Sequence, residues 1–389
     1  GMQQEFPDLG ETVEEISPRE LKRRLDSGTQ LTLIDTRRAG DFEEWQITHP
    51  NLSTVNVPFT DFLDESGTKP ADSVPQSVPE GPLVASCAKG ISSTYVAEFL
   101  AGEGYDVVAL ADGMEGWAQL YERHPLSVPD AAGDVIQLQR PSSGCLSYLF
   151  VSGEEAAVID PLRAFATEYP EIAAEHGATV EYALDTHVHA DHVSGVRELA
   201  AETDAKIVLP SGATARGLDF DARLVADGET VPLGETAITA VGLPGHTTEM
   251  TGYRFAGVLA GGDTVFLDSV ARPDLEDGDA ATEAAGQLWE TVQGLAEYPA
   301  DLVLAPGHVG PTTVPSEDGS FTATLGELQS RLGAFEQGRE EFVARITGDL
   351  PPQPTNYEEI IAVNLGRSAA DSEEAFELEL GPNNCAASE

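Results

Sequence analysis

Between Thr186 and Gly195 the chain reads THVHADHVSG, which places His187, His189, Asp191 and His192 within six positions. The whole chain has only 8 histidines. Imidazole and carboxylate are ligands for divalent metals, and alternate residues of an extended segment share one side, so this string can converge on an ion. Further ligand-type residues stand at matching junctions: His246 in GLPGHTTE, Asp263 in AGGDTVF and His308 in APGHVG. Each lies beside small or turn-forming residues, where a loop leaves a regular element. Clustering of this kind demands a metal more than it demands packing.

A second constellation is VASCAKGISST. Cys87 ends an apolar run and a helix begins a few residues later, so N–H groups of the loop Ala88, Lys89, Gly90, Ile91, Ser92 and Ser93 can point at the sulfur. Such a cradle lowers a thiol pKa and stabilises a persulfide anion. The other two cysteines, Cys145 and Cys385, are distant in sequence. An odd, scattered set implies no disulfide framework.

The elements that must position these groups fall into two series. In the first, SPRELKRRLDSG predicts a helix with Ser17 as N-cap, Pro18 in the first turn, Glu20 completing a capping box and Gly28 as the stop. LTLIDTR, STVNVP, PLVASC and DVVAL predict strands alternating with the helices DFEEWQI, SSTYVAEFLAGEGY and MEGWAQLY. That alternation means a parallel α/β sheet flanked by helices. The Pro- and Asp-rich stretch over 123–134 predicts a linker. In the second series VIQLQR, CLSYLFV and AAVIDP predict successive strands, followed by a helix near 164–176, the strand TVEYALDTH ending on His187, and a helix from Asp191 to about Glu202. Strands continue through TGYRFAGVLAGGDTVF, and long helices are expected over 280–298 and 322–346.

A chain of 389 residues predicts two domains. Asp plus Glu number 67 against 21 for Lys plus Arg, a net charge of −46 spread along the whole length. That balance excludes nucleic acid as a partner. With only four lysines the composition points to a high-salt cytoplasm, where charge repulsion is screened to about 3 Å at 1 M. No apolar run approaches the roughly 18 residues of a membrane span, and the start GMQQEFPDLG lacks a basic region followed by an apolar one, so no membrane association is expected. Gly1 ahead of Met2 reads as a residue added for expression.

Residues 12–122 resemble a rhodanese sulfurtransferase domain: LIDTRRAGDFEEWQITHP followed by VNVP is similar to its first strand, CAKGISS to its C-x-x-G-x-R-S loop, and VVALADGMEGW to its closing turn. The loop arginine is replaced by Ser92. About 135–365 resemble the metallo-β-lactamase superfamily, which implies an αββα sandwich over a domain at 135–389 with its metal site at one edge. In that superfamily's dinuclear hydrolases, His187, His189 and His246 hold one metal, Asp191, His192 and His308 a second, and Asp263 bridges. In its persulfide dioxygenase branch a single Fe(II) takes only His187, His246 and Asp263. His189, Asp191, His192 and His308 are then supporting groups. GGDTVFLDSVARPDL and PPQPTNYEEIIAVNLG are similar to that branch, with Arg272 in the position of a substrate-binding arginine.

The resemblance implies an enzyme that oxidises a low-molecular-weight thiol persulfide with O2 to sulfite and thiol. Cys87 would move sulfane sulfur to sulfite or from thiosulfate, and relatives of this kind are often homodimers. The alternatives are a glyoxalase II-like thioester hydrolase with two Zn ions and a non-catalytic sulfide or metal sensor.

Overall fold

A computed structural model of the chain describes residues 5–128 and 132–387. The chain divides into two compact units, one built from its first 120 residues with Pro141–Ser143, the other from Tyr121–Arg140 and Gly144 onward.

The first unit is a five-stranded sheet in the order Glu15–Ile16, Val107–Leu110, Leu83–Ser86, Leu31–Asp35, Leu52–Asn56, with every pair parallel. Its opening helix runs Pro18–Asp26; the Ser17 hydroxyl accepts from the Glu20 N–H. Gly28 beyond its end has φ +98°. That helix buries Leu21 and Leu25 with Leu33, Met114 and Trp117 on one face of the sheet. The helix Ile91–Gly102 buries Tyr95, Val96, Phe99 and Leu100 on the other. The short helix expected over DFEEWQI begins earlier, at Ala39, and ends at Glu44.

The second unit is built on two sheets. The larger runs Arg223–Val225, Lys206–Pro210, Thr179–Leu184, Glu155–Ile159, Cys145–Ser152, Asp134–Arg140, Glu122–Pro125, and the smaller Thr230–Leu233, Thr236–Gly242, Thr251–Phe255, Val258–Gly262, Val303–Pro306, Ala323–Thr324. Facing side chains such as Tyr148, Phe150, Tyr253, Phe255 and Leu259 fill the space between them, and the helix Ala281–Leu295 adds Leu288 and Val292 to the same core. The helices Glu168–Glu175 and Val196–Glu202 cover the other face of the larger sheet. This is the expected layering of helix, sheet, sheet and helix.

Four expectations give way. The stretch read as a linker, 123–134, opens inside the strand Glu122–Pro125, which pairs antiparallel with the next strand, Glu122 opposite Gln139 and Pro125 opposite Ile136; residues 129–131 of that stretch lie outside the described ones. The helix expected over 322–346 is two helices, Leu325–Arg331 and Arg339–Gly348, because Leu332 turns extended and Gly333 and Gly338 sit between them. The strand expected to carry His187 stops at Leu184. The following helix starts only at Val196 rather than Asp191, leaving the histidine string as a loop whose backbone is held from outside. Among the described residues no helix is long and apolar enough to cross a membrane.

Candidate functional site

All the predicted ligands of the second unit sit where the chain leaves a strand. His187, His189, Asp191 and His192 follow Thr179–Leu184, His246 follows Thr236–Gly242, Asp263 follows Val258–Gly262 directly, and His308 follows Val303–Pro306. Every one is at least nine-tenths buried. A single cluster holds one donor atom each from His187, His246 and Asp263 within 4.8 Å of one another. His187 Nε2 and His246 Nε2 lie 3.5 and 3.4 Å from Asp263 Oδ2.

The surrounding hydrogen bonds fix which ring nitrogens face that point. The Thr186 hydroxyl donates to Asp160 Oδ2 (2.8 Å), so it must accept from His187 Nδ1–H (2.8 Å). With Nδ1 as the donor, a neutral His187 ring carries its lone pair on Nε2. His246 Nδ1–H donates to the Arg272 carbonyl at 2.7 Å, and burial pushes this ring down to about 4, so it is neutral with Nε2 as the acceptor. His187 Nε2 and Asp263 Oδ2 are buried with no hydrogen-bond partner. Orphaned buried polar atoms cost about 1–3 kcal/mol each unless something satisfies them. A divalent cation held by two imidazoles and a carboxylate does so, and this donor set suits non-heme iron.

The remaining histidines are engaged differently. Both nitrogens of His308 donate to carboxylates, Nδ1 to Asp263 Oδ1 at 2.6 Å and Nε2 to Asp191 Oδ2 at 2.7 Å. Burial presses this ring down, but the two acids outweigh it and hold it well above the ordinary histidine range. His189 Nε2 is 3.0 Å from Asp160 and 3.6 Å from Asp185, which likewise overcome burial and raise it well above its ordinary value. His192 is buried beside Asp191, which carries it up to about 9. His192, Asp191 and His308 form a second cluster with Cys145, whose Sγ lies 3.2 Å from Asp191 Oδ2. His189 Nδ1, Asp191 Oδ1 and His192 Nε2 are also buried without partners.

Several positioning groups escaped the sequence reading. Asp160, with φ +55° at the end of its strand, binds the Thr186 N–H (2.7 Å), the Thr186 hydroxyl and His189. The Asp-Pro step closing a buried strand was the available signal. Gly262 permits the close approach of this network: its φ is +56°, and a Cβ there would lie 2.7 Å from Thr186 Oγ1. Asn364, on the helix Tyr357–Asn364, donates to the carbonyls of His189 and His192 (3.0 and 2.9 Å) and accepts from Ser194 N–H (2.8 Å). Glu379 accepts from Val193 N–H (2.9 Å) and pairs with the buried Arg140 (2.8 Å). Distant C-terminal residues thus replace the helix expected from Asp191, and only tertiary structure shows it.

Arg272 differs from its expected role in substrate contact. It is 1% exposed; Nε and Nη2 donate to Asp274, and Nη1 to the carbonyls of Pro352 and Asn384. Its charge is neutralised inside the fold, while its backbone carbonyl sets the tautomer of His246.

In the first unit Cys87 follows the strand Leu83–Ser86 and is buried. Gly90 N–H donates to Sγ at 3.0 Å and Ser93 Oγ lies 3.2 Å away. Burial pushes the thiol up, but hydrogen bonds from the Ser92 and Ser93 hydroxyls and the Ser93 and Gly90 N–H groups outweigh it and hold the thiol below its ordinary value. The turn after Val107–Leu110 presses against this loop. Met114 N–H donates to the Cys87 carbonyl at 2.7 Å, and at Gly113, φ +55°, a Cβ would lie 2.2 Å from that oxygen. Ser92 Oγ is 3.0 Å from Thr36 Oγ1.

Comparison with known proteins agrees with both halves. Residues 17–120 match the family model described as rhodanese-like domain, and residues 141–308 that of the metallo-beta-lactamase superfamily. A hydroxyacylglutathione hydrolase from Acidiphilium cryptum is 32% identical over 233 residues, 60% of this chain and 89% of the relative. The chain belongs to the metallo-beta-lactamase superfamily and carries a rhodanese-like domain ahead of that fold. Persulfide dioxygenase ETHE1, mitochondrial, of Homo sapiens is 28% identical over 255 residues, 62% of this chain and 93% of the relative. The crystal structure of ETHE1 from Myxococcus xanthus has the same fold, with a TM-score of 0.53 at 23% identity over 60% of this chain and 98% of that one. The match spans only 56% of the length of another hydroxyacylglutathione hydrolase, from Rhodospirillum rubrum.

Proposed function

We propose that the second unit is a persulfide dioxygenase using one Fe(II), and that the first, over about 12–122, is a sulfurtransferase acting through Cys87. The observation that carries this reading is the division among the histidines. His187 and His246 turn acceptor nitrogens toward Asp263 Oδ2, whereas His308 donates both nitrogens to acids and His189 turns to Asp160 and Asp185. Two imidazoles and one carboxylate leave coordination positions open for oxygen and a sulfur ligand.

Iron, when bound, supplies the electrons that spin-forbidden oxygen chemistry needs. The chain supplies orientation: Thr186 and the Arg272 carbonyl lock the two rings, and His308 holds the second oxygen of Asp263. The net reaction is persulfide, O2 and water giving thiol, sulfite and two protons. Cys87 would exchange sulfane sulfur with sulfite, thiosulfate or a thiol. The acidic composition fits a high-salt cytoplasm as its setting.

The name of the human relative supports this reading, and a second one has its own observation. The buried group of Cys145, Asp191, His192 and His308 offers donors for a second ion, as a dinuclear thioester hydrolase needs. The test is metal analysis with oxygen uptake. One iron per chain and persulfide-dependent oxygen consumption are expected; two bound metals with thioester cleavage and no oxygen uptake would replace this reading by the second.

A further inference from the structure

The cavity at Cys87 has a volume of about 290 Å³, near the lower end of the ~300–1,000 Å³ range of small-molecule sites. Phe6, Phe59 and Ile91 form apolar wall, and Ile91 is 46% exposed although it is a large hydrophobic residue. Lys89 and Arg38, both exposed, line the same cavity, and neither has a charge partner among the described residues. In a chain with 21 cationic side chains against 67 acids, two unpaired cations beside one thiol are a marked local reversal. Arg37 adds no charge of its own, because it is buried and ion-paired with Asp35 at 2.8 Å. Asp41 on the wall offsets one of the two cations.

A small inorganic oxyanion such as thiosulfate concentrates two charges next to the reacting sulfur and needs a fixed cation in the loop that holds it. Beside the sulfur the loop offers neutral groups, the Gly90 N–H and the Ser92 and Ser93 hydroxyls, and its one cation, Lys89, is exposed. The cations stand instead at exposed positions, and the apolar wall belongs to the same cavity. We infer that this cavity takes its sulfur from an organic persulfide with an apolar body and a carboxylate, in preference to thiosulfate. The body lies against Phe6, Phe59 and Ile91, and the carboxylate meets Arg38 and Lys89. This rests on the reading of Cys87 as a sulfur carrier and adds its substrate class.

In the transfer the Cys87 thiolate attacks the terminal sulfur of R–S–SH. A new S–S bond forms to Cys87, the R–S to SH bond breaks, and its electron pair leaves on R–S⁻. The persulfide proton passes to the released thiolate, and no net oxidation or reduction occurs.

The test loads the full-length protein in single turnovers under argon, which silences any oxidation of the persulfide. Loading is read as a mass gain of one sulfur, mapped to the Cys87 peptide. The persulfide of 4-mercaptobutanoate, an apolar body ending in a carboxylate, should load Cys87 about tenfold faster or more than thiosulfate or ethane persulfide, which lacks the carboxylate, at equal concentration, and the double variant Arg38→Gln, Lys89→Gln should bring its advantage over ethane persulfide close to unity. Thiosulfate loading as fast as the 4-mercaptobutanoate persulfide overturns the inference. So does ethane persulfide loading as fast, or an advantage that survives in the double variant. No sulfur on Cys87 from any donor instead removes the sulfur-carrier reading beneath it.

Discussion

The two candidate sites solve opposite problems. Around Asp263 the chemistry lies in buried side chains brought from four loops, each held by groups behind it: Thr186 and Asp160 behind His187, the Arg272 carbonyl behind His246, and Asn364 and Glu379 under the loop that carries His189 and His192. Around Cys87 one continuous loop supplies the hydrogen bonds to the sulfur, and a cavity adjoins it. Gathering hard charges in a dry interior requires many fixed partners. Stabilising one soft anion needs only a short stretch of N–H and O–H donors.

The largest expected effect tests whether these are separate machines. His187→Ala, His246→Ala or Asp263→Ala should abolish bound iron and oxygen uptake together while leaving sulfur loading of Cys87 intact. Cys87→Ser should do the reverse, removing transfer to sulfite or cyanide with oxygen uptake retained. Metal analysis, an oxygen electrode and a transfer assay on the same preparations check both. A triad variant that keeps its iron yet loses oxygen uptake would contradict a ligand role, and oxygen uptake lost in Cys87→Ser would mean the sites act as one.

A smaller effect separates ligands from their supports. Asn364→Ala leaves two loop carbonyls and the Ser194 N–H without their partner, so iron affinity should fall about 10- to 100-fold without vanishing. A competition titration with a chelator measures it. Unchanged affinity would show that the loop holds its shape without the C-terminal helix.

Much of this was legible in the sequence, and unevenly. The candidate metal donors declare themselves because histidine is scarce, 8 in the whole chain, and recurs beside Gly and Pro where strands end, and Cys87 because a strand, a short loop and a helix leave little freedom for the backbone around it. What stayed hidden acts at long range. Asn364 lies far along the chain from His189, and nothing in IIAVNLG marks an amide that clamps a distant loop. Arg272 stands in the position of a substrate-binding arginine, and spacing cannot show that Asp274 and two carbonyls enclose it. The start at Val196 of the helix expected from Asp191 has the same cause, since loop conformation there follows partners outside the segment.

The thiol side can be sharpened by pH. The Cys87 thiol is held below its ordinary value, so the thiolate fraction and the loading rate should reach their plateau at lower pH than for an ordinary thiol. Ser93→Ala removes a hydroxyl beside Sγ, and the rate profile should move toward higher pH. A profile that does not move would assign the stabilisation to the backbone alone.

Salt should act least selectively, since 67 acids against 21 cations affect both units. The screening length shrinks from about 10 Å at 0.1 M to about 3 Å at 1 M. Melting temperature should therefore rise with KCl for the metal-loaded protein, by relief of self-repulsion. A melting temperature indifferent to KCl would remove the high-salt interpretation and leave both sites as described.

The central claim, that the His187, His246 and Asp263 face oxidises a persulfide, is tested most directly by the stoichiometry of oxygen uptake and sulfite release. Iron-loaded protein given glutathione persulfide should consume one O2 and release one sulfite per persulfide, with no sulfite formed under argon. Sulfite released without O2 consumption, or an enzyme that consumes no O2 while cleaving an acyl-glutathione thioester, would contradict it.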